Sequence, residues 1–140
     1  MKFRIVAALA AATLLTAPAH AAVELMADGN VGAFRLFLVL NGKMGLATPD
    51  GLILYFYAKD PIEKVTCTGA CAEQWPPMLA GTGDRGFESF SIFAREDGQL
   101  QWAYEGKPLY RSSKDTAPGQ ANGQGVDDAW FVVEVPGHEM

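Results

Sequence analysis

The side chains able to do chemistry are few, and most of them come in pairs. Cys67 and Cys71 stand with three residues between them. In an oxidising compartment such a pair suits a disulfide that shapes the loop Cys67-Thr68-Gly69-Ala70-Cys71. Two other chemistries compete: a redox-active dithiol, whose expected spacing has two intervening residues, and a thiolate metal site, which needs more soft ligands than lie nearby. Asp60 and Asp115 are the carboxylates best placed to act together, since each follows a tyrosine (Tyr55, Tyr110) by five positions and a lysine by one. Functionally they would be a metal or acid/base pair across a pseudo-twofold axis; structurally each would accept backbone N–H bonds and fix the turn after its strand. A unit used twice needs its turn twice, which favours the structural role.

Aromatic residues form the other conspicuous set: Tyr55, Tyr57, Tyr104, Tyr110, Trp75, Trp102 and Trp130. They either pack the core of a small β domain or line a groove for a sugar, a quinone-like ring or an extended peptide. The candidate ligand-binding residues are therefore Tyr55, Tyr57, Asp60, Trp75, Tyr110, Asp115 and Trp130. Trp75-Pro76-Pro77 is expected to be partly exposed, because the glycine-rich stretch after it offers little to cover it.

Catalytic partners are scarce. Of the two histidines, His20 falls in the leader described below and His138 lies near the C-terminus, so a Ser-His-Asp or Cys-His arrangement would hang on one terminal imidazole. Histidine poverty also disfavours a His-rich zinc or copper site, and there is no Cys-x-x-Cys-His sequence for haem attachment. Asn122, Asp127 and Asp128 sit in a Gly-rich stretch that lacks the Asp-x-Asp-x-Asp-Gly calcium pattern. The expectation is a protein that is not an enzyme, with no metal and no cofactor.

The elements that must position these residues are organised by an echo. Shifting the chain by 55 positions superposes Gly51 on Gly106, Leu54 on Leu109, Tyr55 on Tyr110, Lys59 on Lys114, Asp60 on Asp115 and Trp75 on Trp130. Self-similarity at a fixed offset marks one structural unit used twice, here spanning about 46–80 and 101–135. Residues 1–21 read as a cleaved signal peptide: a basic start (Lys2, Arg4), a short apolar run from Ile5 to Leu15, and Ala19-His20-Ala21 as a small-x-small cleavage site. The run is too short to span a bilayer, and no lipobox cysteine stands at the cleavage site. Residues 22–140 then form a single β-rich domain, periplasmic or secreted, with no transmembrane helix after cleavage. Losing Lys2 and Arg4 takes the net charge from −5 to −7, and no Lys/Arg cluster is present, so nucleic acid is not a partner.

Along that domain, Val31–Leu40 reads as a strand with Phe34, Leu36, Leu38 and Leu40 on one face, turning at Asn41-Gly42 into a strand at Gly45–Thr48. Pro49-Asp50-Gly51 is a turn delivering Leu52–Tyr57, a strand buried on both faces and ended by Lys59-Asp60-Pro61. Cys71–Trp75 is a helical turn and Met78–Gly86 a flexible loop. Phe90–Arg95 and Gln99–Tyr104 form a hairpin about Asp97-Gly98. Leu109–Arg111 is a short strand, Thr116–Val126 a loop, and Trp130–Val135 the last strand. No stretch keeps a 3.6-residue period over a helical length, so the fold class is all-β, barrel- or sandwich-like, with at most one or two helical turns.

These segments carry a resemblance. Tyr55-x-Tyr57-x-x-Asp60 is similar to the Tyr-x-aromatic-x-x-Asp motif of a bacterial family of secreted proteins and lipoproteins known as the secreted repeat of unknown function. Asp50-Gly51-x-x-Leu54-Tyr55, Cys67-x-Gly69-x-Cys71-Ala72-x-x-Trp75-Pro76-Pro77, Arg95-x-Asp97-Gly98, and Gly106-Lys107-Pro108-Leu109-Tyr110 followed by Asp115, Pro118-Gly119 and Trp130 resemble the family signature in order and spacing. The second echo departs from it, reading Tyr110-x-Ser112-x-x-Asp115. The resemblance implies an envelope location and a β-rich repeat, and no reaction. The expected function is a non-enzymatic envelope module that binds a protein, a glycan or a small ligand; the alternatives are a periplasmic redox protein using Cys67 and Cys71, or a metal-binding envelope protein.

Overall fold

The structure, a computed structural model, describes residues 30–31, 34–38 and 43–136. The expected signal peptide, the Asn41-Gly42 turn, Leu40 and His138 lie outside the described residues. Within them the chain forms β1 (Asn30–Val31), β2 (Phe34–Leu38), β3 (Met44–Ala47), β4 (Tyr55–Tyr57), the short helix α1 (Ala70–Gln74), β5 (Phe90–Ala94), β6 (Leu100–Tyr104), β7 (Lys107–Pro108), a 3-10 turn at Val126–Asp128 and β8 (Trp130–Val132). The class is all-β, as the alternating apolar pattern predicts. Strands fall into three small sheets, ordered β1-β2-β3, β4-β8 and β5-β6-β7, that do not close into a barrel.

The same pairing occurs twice. β2 runs antiparallel to β3 with Leu36 opposite Leu46, and β5 runs antiparallel to β6 with Ile92 opposite Trp102. The C-terminal segment of each half is inserted into the other half. Leu46 N–H donates to the Val133 carbonyl and Val133 N–H to that of Leu54, at 2.9 and 3.0 Å. Reciprocally, Trp102 N–H donates to Met78 O and Met78 N–H to Leu109 O, at 2.9 and 2.8 Å. Because their strands are exchanged, neither half completes its own sheet.

Two apolar clusters fill the interior, and both draw on both halves. One gathers Phe34, Leu36, Leu46 and Leu54 with Phe90, Trp102, Leu109 and Val133, and has the rings of Phe34 and Phe90 stacked at 4.6 Å. The other gathers Ile53, Tyr55, Cys67 and Trp75 with Tyr110, Ala129, Trp130 and Val132. Burying a large ring contributes about 2–3 kcal/mol, so this shared interior holds the exchanged halves together.

Several elements differ in extent from the sequence reading, for identifiable reasons. The expected strand Leu52–Tyr57 is regular only over Tyr55–Tyr57, since Leu52 and Leu54 pair back onto the β3 side before Tyr55 changes partner. The stretch expected to be a loop from Met78 to Gly86 is bound at its start, where Met78 and Ala80 donate to Leu109 and Leu100 carbonyls at 2.8 and 2.9 Å. Leu109–Arg111 is replaced as a strand by Lys107–Pro108, while Tyr110 makes isolated bridges to Tyr55 and Pro77. Gly51 and Gly106 both have positive φ (91° and 79°), and a Cβ on either would sit 2.8 Å from Pro118 or Ile62 respectively, so each turn needs glycine.

Candidate functional site

All seven predicted site residues converge on the pseudo-twofold axis. Tyr55 and Tyr110 exchange backbone hydrogen bonds there, at 2.8 and 2.9 Å. Their hydroxyls cross over: Tyr55 Oη donates to Asp115 Oδ2 and Tyr110 Oη to Asp60 Oδ2, both at 2.5 Å. The second oxygen of each carboxylate fixes a turn. Asp60 Oδ1 accepts from Thr66 N–H and Oγ1, and Asp115 Oδ1 from Asn122 N–H. Trp75 and Trp130 stack at 3.9 Å with 1° between their planes, Tyr55 and Tyr110 meet them edge-on, and Tyr57 stacks on Trp130 at 4.5 Å.

Burial, and then the carboxylate hydrogen bond, push both the Tyr55 and the Tyr110 phenol well above the usual tyrosine range. Each keeps its proton at neutral pH and acts as a fixed donor. Tyr55, Tyr110, Trp75, Trp130 and Asp115 are buried. Trp75, expected to be partly exposed, is only 6% accessible, because Trp130, Tyr55 and Gly123 enclose it. With both phenols held by carboxylates and its rings packed, the cluster is part of the interior shared by the two halves.

The open concavity lies beside it. A groove of ≈ 860 Å³ runs between the disulfide loop with the segment leading into it, lined from Pro61 to Ala72, and the face of the β5–β6 hairpin from Phe93 to Gln99. None of the seven predicted residues lines it. The Cys67–Cys71 bond closes the first wall, and Asp60 pins that wall through Thr66. On the second wall the Arg95 side chain is 8% exposed, its Nη1 donating to Gln101 Oε1 at 2.6 Å and its Nε reaching Asp97 Oδ2 at 3.4 Å. Among the described residues, its Nη2 has no acceptor within hydrogen-bond distance. Gln101 is fully buried and donates in turn to Leu109 O at 2.9 Å.

Sequence reasoning did not single out Arg95, Gln101, Val65 or Phe93 as site residues. The available signal was alternation in the expected strand Phe90–Arg95, which places Phe93 and Arg95 on one face, with Gln101 directly opposite Phe93.

The equivalent place, where the β2–β3 pair of the first half faces the loop after Asp115, has no such arrangement. There Phe37, the register counterpart of Phe93, lies over Gly51 and Gly119, and Gly45 stands opposite it where Gln101 stands opposite Phe93. Among the described residues no group of three His, Cys, Asp or Glu side chains could hold a metal, and no helix is long and apolar enough to cross a membrane.

Two stretches, residues 39–78 and 91–134, match a family model described as a secreted repeat of unknown function. No curated protein and no solved structure matches the chain.

Proposed function

Since the chain belongs to the family of secreted repeats of unknown function, we propose that it is a non-enzymatic envelope module that binds its ligand in the groove between the disulfide loop and the β5–β6 hairpin. One observation carries this reading. A scaffold that pairs its strands in the same register twice fills the equivalent place with Phe37 in one half and keeps it open beside Phe93 in the other. The groove is of the size and mixed polarity of small-molecule sites. The paired tyrosines and aspartates, the most reactive-looking set in the sequence, are committed to each other in the interior.

Immobilised disulfide-bonded protein is incubated with envelope extract, a glycan array and a metabolite library, beside two variants. Thr68→Trp places a ring in the groove, and Lys114→Trp places one on the opposite half. The expected result is retention that Thr68→Trp abolishes and Lys114→Trp preserves. Retention equal in all three proteins would refute the groove as the site.

A dithiol function is the second reading, supported by the partial exposure of Cys71 while Cys67 is enclosed. Mild reduction followed by thiol titration decides it: a pair that reopens readily and passes oxidation to a substrate dithiol favours it, and an inert bond removes it.

A further inference from the structure

The groove wall contains a cation with unused hydrogen-bonding capacity. A guanidinium carries five N–H donors in a planar fork, and a buried one is ordinarily matched by a carboxylate in close two-point contact. The Arg95 side chain is 8% exposed, yet its only carboxylate partner among the described residues is Asp97, half exposed and 3.4 Å away from Nε, longer than a charge-assisted bond. Gln101 takes one Nη1 proton and leaves Nη2 free among the described residues. Gln101 is itself locked by Leu109 O, which fixes one arm of the fork, and Arg95 is among the residues that line the groove. Lys64 adds a second cation on the facing wall.

Around these cations the groove is apolar at Val65, Phe93, Pro61 and Pro77, and Glu63, Glu96 and Asp97 also line it. Glu63 is engaged by Ser91 Oγ at 2.7 Å, Asp97 Oδ1 accepts Gln99 N–H at 2.9 Å, and Glu96 is exposed. A second negative charge on a ligand would face those acids, whereas a single carboxylate can sit on the fork.

Resting on the groove reading above, we infer that the ligand is a small organic monocarboxylate, its carboxylate on the Arg95 guanidinium and its apolar body between Val65 and Phe93. Gly45, which stands in the first half where Gln101 stands in the second, cannot hold such a fork, and this restricts the site to one copy per chain.

The test is isothermal titration of the disulfide-bonded chain with 3-phenylpropanoate and octanoate, each beside its primary amide, and with phenylsuccinate as a dianion. Acids are expected to bind about tenfold or more tightly than the matched amides, and phenylsuccinate more weakly than phenylpropanoate. Arg95→Gln should bring the acid-to-amide ratio close to one while leaving amide binding in place; Arg95→Lys, which keeps the charge and loses the fork, should fall between. The ratio measured on the unaltered protein does not depend on how the variants fold. Acids and amides that bind alike, with both lost in Thr68→Trp, would overturn the carboxylate and leave the groove standing. Binding indifferent to Thr68→Trp would overturn both, and silence from every probe would overturn the monocarboxylate while extract retention still judges the groove.

Discussion

After Asp60 the chain passes through Thr66 into the Cys67–Cys71 bond and α1; after Asp115 it passes through Asn122 into Gly123 and the 3-10 turn at Val126–Asp128. The two corners do the same structural work by different means. Cys67 is enclosed in the cluster that holds Tyr110 and Trp130, and Gly123 packs so closely that a Cβ would lie 2.7 Å from Trp75 and 2.9 Å from Tyr55. One corner is held covalently and leaves a groove in front of it; the other is held by contact with two rings, and Phe37 covers its outer side. Because the axis residues carry the fold, a loop in one copy can depart from its twin without unseating either half.

The largest effect should come from the axis itself. Trp75→Ala and Trp130→Ala each remove a buried indole and should cost about 3–5 kcal/mol in urea unfolding. If the halves are energetically equivalent, the two costs agree within about 1 kcal/mol, and the double variant falls short of their sum by a similar amount because each ring is the other's main stacking partner. Strict additivity would break the picture of a shared axis.

The tyrosines sharpen the comparison one step down. Tyr55→Phe leaves Asp115, 7% exposed, with a bare Oδ2 and takes away the oxygen that accepts Gly123 N–H, for about 2–3 kcal/mol. Tyr110→Phe leaves Asp60 partly exposed, where water can replace the lost donor, for about 1 kcal/mol. Alkaline unfolding should make them look alike again. Both phenols are raised in the folded protein, so their stabilisation is fully present below the unfolded tyrosine range and is lost above it, because only the unfolded chain ionises there. From about pH 10 upward each contributes a fall of about 1.4 kcal/mol per pH unit, and either Phe variant should remove one such increment from the slope. Unequal slopes would mean that one phenol ionises in the fold.

How much of this was legible in the chain follows from where identity survives. Tyr55, Asp60 and Trp75 keep one spacing to their counterparts, so the echo shows directly which residues meet on the axis. The equivalence of β2 with β5 is hidden, because the turn Thr48-Pro49-Asp50-Gly51 has one residue more than Tyr104-Glu105-Gly106 and moves the earlier strands to an offset of 56, visible in Leu36–Leu46 against Ile92–Trp102. The crossing of Tyr55 to Asp115 leaves no local trace, since the partners are 60 residues apart and each tyrosine also has an aspartate of its own nearby. The groove was illegible for another reason: openness is a property of what fails to pack, and Phe37 and Phe93 read alike in sequence.

The disulfide corner should respond less in stability than in binding. Closing a loop this short stabilises by about 2 kcal/mol on the chain-entropy view, so Cys67→Ala with Cys71→Ala should lower the urea midpoint modestly. Gly123→Ala should cost a similar 1–3 kcal/mol by forcing the Trp75 and Tyr55 rings apart, with the groove on the other half unaffected. The two variants are thus matched in stability and opposed in ligand retention. Loss of retention in both would tie binding to global stability instead of to the disulfide wall.

The smallest stability effect, and the most direct test of one half against the other, lies in the two phenylalanines. Phe37 and Phe93 occupy the same register position, each half-buried, but Phe37 rests on Gly51 and Gly119 whereas Phe93 faces the groove. Phe37→Ala should therefore cost about 1–2 kcal/mol through lost packing and leave retention alone. Phe93→Ala uncovers no neighbour that packs as tightly, so it should cost below about 1 kcal/mol in denaturant while weakening retention of groove ligands several-fold. If Phe93→Ala proved the more destabilising and bound normally, the groove would be an incidental gap in a symmetric scaffold, and the divergence of the two halves would concern folding alone.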